Sequence, residues 1–583
     1  MNRKQRRATL KHGPPAAARR AGSTADQIRH LFFEAAGCEC NRKLDDATRI
    51  YKRVLLLDPD HAEACNNLGR VLQAQGKTKE ASGYYARALS LMPQLLEQYA
   101  GICATLIALL PQLGEAIRRQ AAAWPKQLSK DELLGEAGFA AIATDPLLLY
   151  LMQSTPVRDV AFERLLTSLR SSLLTDATAG KTISETTFGF VCTLAGQCFI
   201  NEYVFATTPE EDAQVDRLKR ALEDALKAGN EVDPAQLAVL ATYCPLHALA
   251  SAQALLQHRW TPAIDNLLTQ QLREPAQELS LRDSIPHLTT IDDEVSRRVR
   301  QQYEENPYPR WVHAARQVTE IPIEQYLSEQ FPASVVVSPG KTDRLDMLVA
   351  GCGTGQVAIA SVQKYSGAQA LAIDLSLSSL SYAKRKTPAE LDARIEYAQA
   401  DILKLASIGR SFDVIDACGV LHHMADPLEG WRVLLKLLRP GGLMHLAFYS
   451  EVGRNDVVAA RSFIAERGYG STPADIRRFR QEILQTPLAS VTRFTDFFST
   501  SECRDLLFHV QESRLSLPAI KTFVMQNGLR LLGFEFGAAI ASQYRALFAE
   551  QGWSMTDFDL WHAIETSHPD TFSGMYQFWV QKA

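Results

Sequence analysis

Hydrophobic and polar positions change their period along the chain. Between about Gln27 and Pro93 apolar residues recur at helical spacing, and LDDATRIYKRVLLLDPDHAEACNNLGRVLQAQGKTKEASGYYARALSLMP superimposes on itself at a shift of 34 residues. That shift sets Ala47 on Ala81, Tyr51 on Tyr85, Leu55 on Leu89 and Pro59 on Pro93. Small residues at 47 and 81 let paired helices approach closely, and the prolines end the second helix of each unit. From about 130 to 300, stretches such as LLLYLMQ and AFERLLTSLRSSLL keep a helical pattern, and ALATYCPLHALASAQALL reads as two buried helices joined at Pro245. From Asp346 short apolar runs alternate with helical stretches. MLVA (347–350), ALAI (370–373), IEYAQ (395–399), FDVID (412–416) and GLMHLAF (442–448) predict a doubly wound parallel sheet, with further strands at 528–536 and 576–581.

At 583 residues the chain implies three or four domains. The pattern divides it into a tail over 1–25, repeats over 26–125, a helical spacer or substrate-positioning domain over 126–296, a linker or lid over 297–340 and an α/β domain over 341–583, with insertions at about 451–527 and 537–574. The chain is 46% hydrophobic and 22% charged with net charge −4, so no global field favours nucleic acid. The tail is locally basic (Arg3, Lys4, Arg6, Arg7, Lys11, Arg19, Arg20) with no apolar segment after it, and reads as solvated and disordered. No run of apolar residues is long enough to span a bilayer. Ten cysteines without paired C-x-x-C units suit a reducing, cytoplasmic setting. Cys38 and Cys40, like Cys244 and His247, read as packing residues, and no metal site is expected.

The chemistry concentrates after 346. DMLVAGCGTGQ ends a strand in a loop with Gly351, Gly353 and Gly355, where backbone must take positive φ or approach a ligand closely. Gln356 stands where a dinucleotide fold keeps its third glycine. Asp374 ends the second strand, where an acid can accept the hydroxyls of a ribose, and Asp401 closes the third, placed for an exocyclic amine. CGVLHHMADP follows the fourth and turns toward the same pocket. His422 and His423 titrate near neutrality when unperturbed and are the candidate bases, with packing on a cofactor as their alternative. Cys352 and Cys418 read as small core thiols. In RRVRQQYEENPYPRWVH, Tyr303, Tyr308 and Trp311 cluster about two prolines, as a linker that staples domains or as a lid through which Arg310 or Tyr303 reaches a substrate.

VAGCGTGQ, AIDLSLSSL, QADIL, FDVIDACGVLHHMADP and LLRPGGLMHLAFYS together resemble a class I S-adenosylmethionine-dependent methyltransferase, closely over about 340–450. The 34-residue period with NNLG at 66–69 resembles tetratricopeptide repeats. The whole chain resembles bacterial methyltransferases that carry such repeats, with YEENPYPRW ahead of the catalytic domain. The resemblance implies S-adenosylmethionine as cofactor, with its methionine moiety over Gly351, Cys352, Gly353 and Gly355. It gives the ribose to Asp374 beside Leu375, the adenine amine to Asp401 with Ile402 against the ring, and a methionine-side lining from Gly419 through Leu421 to His422. Tyr449 joins the lid residues as a substrate candidate. Arg454, Arg504, Asp505 and His509 of the first insertion are residues to test, without a catalytic role assigned.

The expected function is methyl transfer to a protein or peptide side chain brought by the repeats. A small-molecule O-, N- or C-methyltransferase is the enzymatic rival, and an adaptor that senses S-adenosylmethionine is the non-enzymatic one. RNA methylation fits least, since no N-P-P-Y-like motif follows the fourth strand.

Overall fold

The computed structural model describes residues 16–95, 102–314, 319–338 and 344–583. Arg3, Lys4, Arg6, Arg7 and Lys11 of the basic tail lie outside them. Two compact units are present: Met1–Ser154 with Arg164–Ser172 and Ile183–Thr193, and Thr155–Glu163 with Leu173–Thr182 and Leu194–Ala583. The stretch 126–296 is thus shared between them.

In the first unit a helix runs over Ala16–Cys40, starting inside the stretch that the sequence assigns to a tail. Helices Leu44–Leu57, Ala62–Ala74 and Thr78–Leu91 follow at the predicted period. Ala47, Tyr51 and Ala81 are fully buried. A Cβ at Gly69 would sit 3.0 Å from the Tyr85 ring, which is why the NNLG position stays bare. Tyr51 donates to Glu39 (3.2 Å) and accepts from Asn67 (3.2 Å), while Arg70 pairs with Glu39 at 2.6 Å. Helices Ile102–Leu109 and Pro111–Ala123 come next, with Ile107 filling the space over Gly114.

The second unit is built on an eight-stranded sheet: β1 (Leu345–Ala350), β2 (Ala368–Asp374), β3 (Ile395–Gln399), β4 (Phe412–Ala417), β5 (Leu438–Ser450), β6 (Arg514–Leu515), β7 (Leu529–Phe534) and β8 (Tyr576–Lys582). Its order is β3-β2-β1-β4-β5-β8-β7, with β6 pairing β5 off that path. β1 to β5 are parallel, and β8 runs antiparallel between β5 and β7. Both faces are covered, so the strands are apolar throughout rather than alternating. In β1, Met347 and Val349 enter one core while Leu348 and Ala350 enter the other. The second core is centred on Trp431, fully buried and stacked on Phe523 at 4.1 Å. The reversal of strand order between β1 and β4 opens a crevice at the strands' carboxyl ends.

The insertion after β5 folds on a core of its own that includes Val457, Ile476, Phe479, Ile483, Phe497 and Leu507. Arg480, wholly buried, pins it: its guanidinium is bidentate to Glu163 (3.0 and 2.7 Å) and donates to the carbonyls of Phe497 and Val204. The ALATYCPLHALASAQALL segment departs from the two-helix expectation. Its α-helix ends at Leu240, and beyond Pro245 only 3-10 turns form, at Leu246–Ala248 and Ala252–Gln257. Proline lacks the amide donor that a continuing helix would need.

Candidate active site

The crevice holds a cavity of about 240 Å³. Gly351, Cys352, Gly353, Asp374, Leu375, Asp401, Ile402, Gly419 and His423 line it, as do Tyr303 and Tyr308 from the segment ahead of β1. Gly355, Leu421, His422, Tyr449, Arg310 and Trp311 do not.

The glycine loop owes its shape to contacts on its far side. At Gly353, φ is +51° and a Cβ would lie 2.8 Å from the carbonyl oxygen of Tyr308. At Gly355, φ is +86° and a Cβ would meet Ala383 at 2.5 Å. Gly355 therefore serves the close approach of the neighbouring helix Leu377–Lys386 rather than the cavity wall. Trp311 lies beneath the loop and donates to both the carbonyl (3.2 Å) and hydroxyl (3.1 Å) oxygens of Thr354, whose hydroxyl in turn donates to Pro309. Glu304 accepts from the amides of Leu377 and Ser378, and Ser376 donates to the carbonyl of Tyr303 at 3.0 Å. The aromatic segment is thereby fastened to the loops after β1 and β2. Arg310 points elsewhere, to Glu202 at 3.1 Å.

Asp374 Oδ2 accepts from the amide of Gly353 and Oδ1 from that of Ser376, both at 2.9 Å, which leaves each oxygen one further acceptor position. Burial pushes its carboxyl up to about 6, against the pull of those amides. Asp401 is 2% exposed. Its Oδ1 caps Leu403, and its Oδ2 has no hydrogen-bond partner among the described residues. Burial raises this carboxyl too. The Ser296 side chain lies beside this carboxylate and pulls against the effect of burial, and Oδ2 keeps an acceptor position that a ligand's donor can fill. These residues fit a nucleoside: acceptors for ribose hydroxyls at Asp374, a vacant acceptor for an exocyclic amine at Asp401, and Ile402 beside it.

The far end of the cavity is a cluster that the sequence did not assemble. His423 Nδ1 lies 3.0 Å from the carbonyl of Gln511, which can only accept, so the ring's lone pair is on Nε2. His509 stacks on it at 3.7 Å. The amide of Gln511 donates to His509 Nδ1 at 3.0 Å, so that ring's proton is on Nε2 and is given to Tyr303 Oη at 3.1 Å. Tyr303 donates onward to Asp505 Oδ1 at 2.6 Å, and Tyr308 to Asp496 Oδ1 at 3.3 Å. Burial holds His423 down at about 4 and His509 at about 2, so both rings are neutral at pH 7. His422 packs on Tyr449 at 3.9 Å, with the Arg454 guanidinium 3.4 Å from the Tyr449 ring and paired to Glu512 at 2.9 Å. Of the two candidate histidines, only His423 faces the cavity.

Two groups of donor atoms come together that no sequence spacing announced. His423, Asp505 and His509 offer ligand atoms within 4.8 Å of one another, as do Asp416, Cys418 and His445. In the first group, metal coordination by His509 Nε2 would put a ring proton on Nδ1, facing the Gln511 amide. The second is a register pair across β4 and β5, with His445 held at 2.9 Å by Asp416 and at 3.3 Å by Glu535.

Comparisons with known proteins agree with this architecture. Residues 348–444 match the family model for a methyltransferase domain, and residues 41–106 that for a tetratricopeptide repeat. The chain carries both. An uncharacterised protein of Synechococcus is 28% identical over 226 residues, 35% of this chain and 52% of that one. A demethylmenaquinone methyltransferase of Clavibacter sepedonicus is 32% identical over 20% of this chain and 44% of its own length. A ubiquinone biosynthesis O-methyltransferase of Leptothrix cholodnii is 34% identical over 20% and 48%. The chain spans about half the length of these curated relatives. Among solved structures, PKMT2 from Rickettsia typhi in complex with AdoHcy aligns at 18% identity over 45% of this chain and 52% of its own, with a TM-score of 0.34. No helix among the described residues is long and apolar enough to cross a membrane.

Proposed function

We propose that this chain is a methyltransferase that takes its methyl group from S-adenosylmethionine and delivers it to a protein or peptide side chain brought by the helical repeats. One observation carries the donor assignment: Asp374, with an acceptor position left on each oxygen, and Asp401, with a buried unpartnered oxygen, share one cavity with a glycine loop. The methyltransferase-domain match over those strands supports it. Asp374 holds the ribose, Asp401 the adenine amine, and the loop from Gly351 to Gly353 the methionine end. When bound, S-adenosylmethionine supplies a methyl carbon on positively charged sulfur, already activated toward a nucleophile. The protein's part is alignment and exclusion of water, which can lower a barrier by ~7–11 kcal/mol. His423, fixed by Gln511 with Nε2 free, accepts a hydrogen bond from the acceptor.

Calorimetry with S-adenosylmethionine tests the donor reading: Asp374→Ala abolishes measurable binding, and equal affinity in the variant would refute it. Deleting residues 1–100 spares donor binding and lowers labelling of protein in a cell extract fed radiolabelled donor. Undiminished turnover after that deletion supports the second reading, transfer to a small molecule, which the quinone-pathway names of the 32–34% identical relatives favour. Tight donor binding with label in no fraction would mark an adaptor.

A further inference from the structure

On that reading the donor occupies the glycine-loop end of the cavity and the acceptor meets the wall formed by Tyr303, Tyr308 and His423. The charge of the cavity as a whole is one-sided. Asp293, Asp374, Asp401, Asp426 and Glu429 line the cavity, and among the described residues no lysine or arginine does. A phosphate or carboxylate on the acceptor would find no countercharge. The tyrosines extend the same bias inward, since each hydroxyl facing the insertion donates to a carboxylate, Tyr303 to Asp505 and Tyr308 to Asp496. Donation to an anion leaves the ring more electron-rich, and an electron-rich ring attracts a cation.

These carboxylates lack the usual partners. Neither Asp496 nor Asp505 has an ion pair within 4.0 Å among the described residues. The neighbouring arginines are engaged elsewhere: Arg454 with Glu512, Arg158 with Glu502 at 3.8 Å, and Arg461 with the carbonyls of Leu507 and His509. Glu502, 6% exposed in the same cluster, has Arg158 at 3.8 Å and the Ser499 side chain beside its carboxylate.

We propose that the acceptor is an alkylammonium group, seated against Tyr303 and Tyr308 in the field of Asp496 and Asp505, with one N–H donated to His423 Nε2. An ammonium nitrogen has no lone pair. Release of one proton to water leaves the N–H electrons on nitrogen as the lone pair that methylation requires. Asp496 and Asp505 are positioning residues that act through the tyrosines. A lysine side chain and a free alkylamine present this same group.

The full chain, with and without saturating S-adenosylhomocysteine, is titrated calorimetrically with n-butylammonium, with 1-butanol and with Nα-acetyl-lysine methylamide. The ammonium binds at least about tenfold tighter than the alcohol. Asp505→Asn and Asp496→Asn each weaken the ammonium by about tenfold and leave the alcohol, S-adenosylmethionine and S-adenosylhomocysteine within about twofold. Tyr308→Phe, which deletes one oxygen, gives a smaller loss of the same selectivity and guards against a folding defect in the aspartate variants. Tighter binding of the lysine derivative than of butylammonium assigns the group to a side chain, and equal binding assigns it to a free amine. Equal affinity for ammonium and alcohol, or unchanged selectivity in the variants, overturns the proposal. So does loss of S-adenosylmethionine with retention of S-adenosylhomocysteine, which would give the carboxylates to the donor's sulfonium. So does tight zinc binding that expels the ammonium. A wild type that binds the ammonium but neither form of the donor keeps this proposal and refutes the donor reading instead.

Discussion

The two ends of one cavity are built in opposite ways. On the proposed reading the donor end is the more local: a glycine loop after β1, an acid at the end of β2 and another after β3, each acid accepting from the main-chain amide two residues on. The acceptor end is assembled from afar. Tyr303 comes from ahead of the sheet, His423 from the turn after β4, and Asp505 with His509 from the insertion, and they meet through side-chain hydrogen bonds spanning some 200 positions, as between Tyr303 and Asp505. A local site survives changes elsewhere in the fold. A composite site depends on the scaffold that gathers it, so donor binding and acceptor chemistry should be separable by mutation.

The largest separation is expected at His423. Losing the group that orients an acceptor can cost ~10²-fold in turnover, so His423→Gln should lower labelling of whichever fraction accepts methyl while leaving the calorimetric donor affinity within about twofold. Next comes the scaffold. Arg480→Ala takes both of its hydrogen bonds away from the buried Glu163 carboxylate, and breaking such a pair costs ~3–5 kcal/mol. Urea unfolding should show that loss, and a variant as stable as wild type would mean that the insertion is not pinned there. Gly353→Ala tests the donor end. Strain at positive φ costs ~1–3 kcal/mol, and the added methyl also meets the Tyr308 carbonyl, so donor affinity should fall by about tenfold or more. It is the substitution that should damage both ends at once, because Tyr308 belongs to the acceptor wall. The smallest effect is on pH. With its carboxyl held up at about 6 by burial, Asp374 gains a proton in competition with the donor. Donor affinity should therefore weaken as pH falls below about 6 and stay level above it, and the slope should vanish in Asp374→Asn.

The same contrast explains what the sequence disclosed. Runs such as MLVA and FDVID are buried on both faces and bounded by turn residues, so strand positions and the α/β class were legible. Asp374 and Asp401 were legible because a strand end dictates where the next side chain goes. Gly355 was read as part of the donor site, yet its bare Cα serves a neighbouring helix. Leu421 was read the same way and enters the core, while Arg310, read as a lid residue reaching a substrate, pairs with Glu202. Adjacency in sequence does not say which side of a turn a residue faces. Asp505 stood out only as a residue to test, and Asp496 and Glu502 gave no signal, because isolated acids in a helical insertion look like solvated surface until folding buries them.

The backbone of Gln511 carries a consequence beyond packing. Its carbonyl fixes the proton on His423 and its amide fixes the lone pair on His509, so one residue's main chain dictates the tautomer of two stacked rings. The identity of its side chain is irrelevant to that instruction. Position 511 can drift through nearly the whole alphabet of residues and keep its effect, proline alone being barred for want of an N–H. Chemistry specified in this way leaves no letter to align: related chains can share the same protonation pattern while differing at the residue that imposes it.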